Sequence, residues 1–293
     1  MYIQDISRNE AKICFKGGSQ MIIIGEKING TIPRVQKAIE EKDEAFIRDL
    51  AIKQAEAGAD YIDVCAGTSP EQEEETLIWL MEIVQDAVEK PLCIDSPNPR
   101  TIEKVFKYAK KPGIINSVSE ERNKCEIIYP LIQGTEWQVI GLTCDNDGIP
   151  ADVEKRISIA RILVEKAQKY DISPDRIHID PLVIALATDN QAVHKFVVAL
   201  EGIKKMFPTV KVTSGLSNVS FGLPYRKAIN QAFLTVAVFA GMDSAIMDPC
   251  NRDVMTALFA AEAIAGRDKF CRKYVNAYRK GLLGPAKDAA KLG

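Results

Sequence analysis

From Met21 onward the chain alternates short β-branched runs with longer amphipathic stretches, and eight such alternations can be counted. That number constrains the fold more than any other feature. The strand candidates are residues 21–25, 60–65, 91–95, 113–117, 138–143, 176–180, 210–217 and 243–248, and each ends in polar residues. Between them, segments such as 48–57, 73–89, 102–110, 153–170, 191–206 and 228–240 carry apolar residues at helical spacing, punctuated by charge, which predicts helices covering a sheet. Strands that are apolar nearly throughout, separated by one helix each, predict a parallel sheet buried on both faces. An open doubly wound sheet needs fewer strands and usually a Gly-rich phosphate loop. Here the first strand runs into GEKING (25–30), and no G-x-G-x-x-G or Walker motif occurs. Eight strand-helix units in roughly 250 residues therefore predict an α/β fold of the TIM (β/α)8 barrel type.

Within the 293 residues, the barrel is expected over residues 21–266. A leader at 1–20, packed over one barrel end, would precede it, and a C-terminal helix and tail at 267–293 would follow. The 38 basic and 40 acidic side chains leave a formal charge of −2, so the chain has no electrostatic footprint for nucleic acid. It contains no apolar run of membrane-spanning length and no signal-peptide pattern, which predicts a soluble, cytoplasmic protein without membrane association. Seven cysteines without a C-x-x-C pair are read as reduced thiols, mostly buried, and no metal site is expected.

In this architecture chemistry sits at the carboxyl ends of the strands. Those ends supply Glu26 and Asn29, Asp63, Asp95, Asn116, Asp145, Asp180, Asn218 and Asp248. Carboxylates and carboxamides dominate. His178 is read as a structural residue and His194 lies in a predicted helix, so neither a His-based triad nor an imidazole metal site is supported. An ionised Asp can accept two parallel hydrogen bonds, and Asn offers one donor and one acceptor edge. A ring of both suits a heterocycle with N–H donors and carbonyl acceptors: a pterin, a purine or a guanidinium. The competing reading for each is a helix cap or a turn. It is preferred for Asp248, before a proline, and for the Asp145–Gly148 turn, while Asp63 is left between the two readings. Asp95, Asn116, Asp180 and Asn218, directly at the ends of apolar strands, are the functional candidates.

GEKING (25–30), LCIDS (92–96), IINS (114–117), IDPL (179–182) and GLSNVS (215–220), in that order, resemble the pterin-binding methyltransferases. The nearest likeness is to the methyltetrahydrofolate:corrinoid protein methyltransferase type, whose barrel is shared with the folate module of cobalamin-dependent methionine synthase and with dihydropteroate synthase. The resemblance runs from Met21 to about Ala265. It implies a homodimeric barrel that binds tetrahydrofolate or 5-methyltetrahydrofolate in its mouth, while a separate corrinoid protein brings cobalamin to N5. Carried over residue by residue, Asp95, Asn116 and Asp180 match the pterin contacts and Asn218 the residue near N5. Glu26, Asn29, Arg226 and Asn230 lie in matching segments.

Cys65 stands where the family often has Asn, and Phe221 where it can carry a polar side chain. The chain has no cobalamin module of its own, so the corrinoid is expected on another polypeptide. On this reading Asn218 hydrogen-bonds N5 as charge develops, with a water relay to Asp95 or another carboxylate. The alternatives are a dihydropteroate synthase-like enzyme and a non-catalytic folate-binding subunit. The first would want a longer loop after the first strand and a Lys beside Asn218; the second would need no group at N5. A barrel acting on a phosphorylated metabolite would want a glycine cradle, which the isolated Gly215 and Gly241 do not build.

Overall fold

The structure, a computed structural model, describes residues 20–284; residues 1–19 of the expected leader at 1–20, and residues 285–293 of the expected C-terminal segment at 267–293, lie outside the described residues. Eight parallel strands form one sheet: β1 (Ile22–Asn29), β2 (Tyr61–Cys65), β3 (Leu92–Asp95), β4 (Ile114–Glu120), β5 (Gln138–Asp145), β6 (Ile177–Asp180), β7 (Lys211–Val212) and β8 (Ser244–Met247). Their order is β7-β6-β5-β4-β3-β2-β1-β8. Past β7, a parallel bridge between Gly215 and Ile246, with the Asp243 N–H on Val212 O and the Ile246 N–H on Ser214 O, brings β7 against β8 and closes the ring. The eight expected strands are all present, and the barrel is confirmed.

Ten helices surround them: α1 (Pro33–Glu40), α2 (Glu44–Glu56), α3 (Pro70–Ala87), α4 (Pro99–Val105), α5 (Lys124–Ile132), α6 (Val153–Gln168), α7 (Ala192–Met206), α8 (Arg226–Ala240), α9 (Arg252–Ile264) and α10 (Arg272–Arg279). Several begin where local chemistry dictates. Proline opens α1, α3 and α4, where its missing N–H is harmless. Asp43, Asn98, Asp152 and Asn251 accept a backbone N–H at the starts of α2, α4, α6 and α9. The main core lies between the sheet and these helices.

Several boundaries differ from the sequence expectation. Strand β1 runs four residues further than expected, so Glu26 and Asn29 lie on it. Its pairing with β2 passes from Gly25↔Ile62 to Ile28↔Val64, which leaves one extra residue on β1 at Glu26–Lys27. Strand β7 keeps only two ladder residues, because Leu216–Ser220 turn into a 3₁₀ helix. The helix expected at 102–110 is α4 followed by a 3₁₀ turn at Phe106–Tyr108. Helix α10 starts only at Arg272, because Phe270 and Cys271 take positive φ just before it.

Inside the ring the side chains fall into layers. At the amino ends of the strands the His178 Nε2–H donates to Gln138 Oε1 (2.9 Å), and Nδ1 lies 2.7 Å from Ser244 Oγ. Gln138 also donates to Tyr61 OH (2.6 Å) and accepts from Lys211 Nζ (3.1 Å). His178 is fully buried and its pKa is lowered to about 3, mainly by burial. It is the structural residue expected. Above it an apolar layer of Ile24, Cys93, Ile114 and Ile140 seals the barrel. Everything polar beyond that layer faces the carboxyl-end mouth.

Candidate active site

Two residues past this layer on their strands come Glu26, Asp95 and Asn116. The β2–β3 register sets Asp63 opposite Cys93 and Cys65 opposite Asp95, and β3–β4 sets Asp95 opposite Asn116. Asp63 is only 2 % exposed. It lies within β2 and caps no helix, which removes the cap reading. Burial pushes its carboxyl well above the usual range, and Asp95 adds to the shift; contacts with Cys93 and Asn116 offset part of it. Asp95 is raised too, again mainly by burial, against a hydrogen bond with the Cys65 thiol. Cys65, the departure from the family pattern, thus keeps a polar group on Asp95.

Asp180 closes the opposite wall. Its Oδ1 accepts the Leu182 N–H (2.8 Å), and Oδ2 accepts the Gly215 N–H at 3.4 Å. Leu182 reaches this position with φ 62°. Burial raises the Asp180 carboxyl to about 6 despite those two N–H groups and the nearby Arg156. Arg156 was not singled out by its sequence. It is 1 % exposed on α6, and its guanidinium donates to the carbonyls of Pro150, Pro181 and Leu182, so it fixes the turn that aims Asp180. The available signal was a charged residue in register with Ile159, Ala160 and Leu163 on the buried face of a helix.

Asn218 sits on the 3₁₀ turn after β7 and is exposed at the mouth, beside Gly215. Arg226, on the first turn of α8, holds that turn: Nη2 donates to Ser217 O (2.7 Å) and Nε to Ser220 Oγ (3.0 Å), with the Phe221 ring 5.5 Å away. Asn230 follows one helical turn later, and its Oδ1 is buried without a partner. Asn29 is committed locally, since its Oδ1 accepts both the Thr31 N–H and the Thr31 hydroxyl. Asp248 makes the turn expected of it, accepting the Cys250 N–H (2.9 Å), and also pairs with Lys27 at 3.3 Å. Asp145 accepts the Asp147 N–H in its own turn and pairs with Lys155 at 2.8 Å.

Glu26 stands beside the Lys27–Asp248 pair. Burial and Asp248 raise its carboxyl to about 7, and Lys27 and Arg226 oppose them. The structure thus brings Glu26, Asp63, Asp95, Asn116 and Asp180 into one mouth, with Asn218 and Arg226 at its rim. Asp63 Oδ1 and Thr213 Oγ1 are buried there without a partner among the described residues. Buried polar atoms of this kind require a partner, and a ring with N–H and carbonyl edges supplies one. Among the described residues no cluster of His, Cys, Asp or Glu is arranged to hold a metal ion, and no helix is long and apolar enough to cross a membrane. Cys93, Cys125 and Cys144 are buried thiols, whereas Cys250 and Cys271 are exposed.

A barrel whose mouth is walled by Asp and Asn defines a class, and comparison with known proteins bears this out. The chain belongs to the pterin binding enzymes, whose family model matches residues 26–266. It is 57% identical over 267 residues to the methylcorrinoid:tetrahydrofolate methyltransferase of Eubacterium limosum, covering 90% of this chain and 98% of that protein. It is also 27% identical over 272 residues to the methionine synthase of Mycobacterium leprae (strain TN), covering 86% of this chain but 22% of that protein. Among solved structures, dihydropteroate synthase from Xanthomonas albilineans in complex with 7,8-dihydropteroate superposes with a TM-score of 0.61 at 21% identity, covering 84% of this chain and 93% of that one. This last likeness concerns the fold alone.

Proposed function

We propose that this chain is a methyltransferase that moves a methyl group between N5 of tetrahydrofolate and the cobalt of a corrinoid carried by a separate corrinoid protein. The observation that carries this reading is the near full-length identity to a methylcorrinoid:tetrahydrofolate methyltransferase, whose name also gives a direction, from corrinoid to folate. Residues 21–266 form the catalytic barrel. Asp95, Asn116 and Asp180 clamp the pterin: Asp180, already oriented by two backbone N–H groups, accepts from the ring N–H and amino group. Asp63 lines the floor beside them, and Asn230 offers its unpartnered amide oxygen. Arg226 holds the turn that carries Asn218, and Asn29 shapes the end of β1. Asn218 is the residue at N5, where a carboxamide both donates and accepts as the nitrogen changes charge. Most of the rate then comes from positioning two reactants, which is worth roughly 7 to 11 kcal/mol in near-attack geometry.

A cytoplasmic homodimer completes the reading, and sedimentation tests its oligomeric part. The dihydropteroate synthase alternative gains nothing at the site, where Asn218 is followed by Val219 and no Lys. Single-turnover assays of the purified chain test the function, following methylcobalamin loss with tetrahydrofolate and cob(I)alamin loss with 5-methyltetrahydrofolate. Transfer is the expected result. Folate binding without transfer from free or protein-bound corrinoid would leave a binding subunit.

A further inference from the structure

Methylation of N5 releases a proton, and Asn218 cannot keep it. The N5 lone pair forms the nitrogen–carbon bond as the carbon–cobalt bond breaks with its electron pair left on cobalt, and the N5 hydrogen departs as a proton. Resting on the methyl-transfer reading above, we propose that Glu26 is the terminal acceptor of that proton, received through water at Asn218, and its donor when the reaction runs backward.

The geometry rests on the extra residue in β1. Ile24 packs in the apolar layer, and the register then slips at Glu26–Lys27; such a bulge re-aims side chains next to active sites. The slip is held from outside, where Gln54 accepts the Lys27 N–H at 2.9 Å. Gly25 leaves room for this acceptor, since a Cβ there would lie 2.6 Å from Gln54 Oε1. At this bulge Glu26 is faced by Lys27 on its own strand, Asp63 on β2, Asp248 past β8 and Arg226 on α8. Arg226 is the residue that also holds the Asn218 turn, so Glu26 and Asn218 share a neighbour.

The other mouth carboxylates suit the task less well. Asp180 is committed to two backbone N–H groups, Asp95 to the Cys65 thiol, and Asp63 lies on the floor with Asp95 pressing its proton on. Among the described residues Glu26 makes no hydrogen bond of its own. A carboxyl that titrates at about 7 is matched to exchanging a proton at neutral pH in both directions.

The test is single-turnover transfer between about pH 5.5 and 8.5 with the full chain, using methylcobalamin both free and bound to a corrinoid protein. Transfer to tetrahydrofolate should rise with pH through an inflection near 7, and the reverse reaction should fall through the same point. Glu26→Gln should lose the inflection and slow transfer by about 100-fold, with tetrahydrofolate affinity by calorimetry nearly unchanged; Glu26→Asp should restore the inflection. Should Glu26→Gln bind no folate, Asp248→Asn decides. Removing that charge must move the inflection to lower pH, and an unmoved inflection refutes the proposal. A Glu26→Gln enzyme that keeps the wild-type inflection, at any rate, also refutes it. Absence of transfer by the wild type would instead overturn the methyl-transfer reading, and this inference with it.

Discussion

Asp180→Asn should make the protein more stable and a worse binder of folate. Asp180 is 5 % exposed, and its carboxyl is raised from 3.8 to about 6, chiefly by burial. A raised carboxyl pKa means that the native state holds the proton more tightly than the unfolded chain. Stability is therefore highest below both values and falls as pH rises from about 4 through 6. At about 1.36 kcal/mol per pKa unit, the ionised side chain costs about 3 kcal/mol at pH 7.5, and about half of that at pH 5. Asn avoids this cost. Its oxygen can still accept the Leu182 N–H, but its NH₂ would face the Gly215 N–H, donor against donor, forfeiting about 1 kcal/mol. The net expectation is a gain of about 2 kcal/mol at pH 7.5 that shrinks to about 0.5 kcal/mol at pH 5, read from chemical denaturation at the two pH values. Pterin binding should move the other way: losing one charge-assisted pair of hydrogen bonds is worth about 3 kcal/mol, or roughly 100-fold in affinity. A variant that is no more stable at pH 7.5, or that binds tetrahydrofolate as the wild type does by calorimetry, would refute the reasoning.

Three further outcomes are expected. Asn218→Ala should slow single-turnover transfer by about 2 to 4 kcal/mol of barrier while leaving the folding midpoint unchanged, since the side chain is exposed at the mouth; unchanged rates would remove Asn218 from N5. His178 is held neutral with a pKa of about 3 against an ordinary 6.5, so its contribution is complete above 6.5 and is lost as pH falls. Going from pH 7 to 5 should cost about 2 kcal/mol through this group, and the loss should disappear in a His178→Gln denaturation series. Gly30→Ala should destabilise by about 3 kcal/mol or more, measured by thermal melting, because the new Cβ would lie 1.8 Å from the Ala66 carbonyl oxygen where β1 and β2 draw together.

The strand count was legible because interior and cover positions are both apolar, so a buried parallel strand reads as a continuous run that ends abruptly at the mouth. Asp95, Asn116 and Asp180 stand at those abrupt ends, and the structure places all three in the mouth. Glu26 and Asn29 read as residues at the end of a strand that stops at Gly25, because polar residues after an apolar run look like a strand end. A bulge is the other way to continue a strand through polar residues, and it depends on Gln54 on helix α2, which no local pattern reveals. Helix α5 escaped notice because its run from Cys125 to Ile132 is apolar almost throughout and contains Pro130, which hides any period. Arg156 was overlooked for the opposite reason: a charge among helical residues reads as a solvated face until its carbonyl partners, 25 and 26 residues away at Pro181 and Leu182, are known.

Residue type alone does not separate the functional end of this barrel from the structural one. Both ends of the interior are polar, and the apolar layer of Ile24, Cys93, Ile114 and Ile140 divides them. At the amino end, His178, Gln138, Tyr61 and Ser244 satisfy one another, and the imidazole is neutral at any physiological pH; such a network specifies a unique core. At the carboxyl end, four carboxyl groups are pushed toward protonation, and among the described residues Asp63 and Thr213 each keep a buried oxygen without a partner. Four acids raised by burial and two orphaned oxygens are a poor way to stabilise a protein, since each such group lowers its stability. They become favourable once a ring that donates several N–H groups enters, because binding then recovers what folding lost. On this argument affinity for folate and instability of the free mouth have one origin, and a substitution that relieves the second should weaken the first.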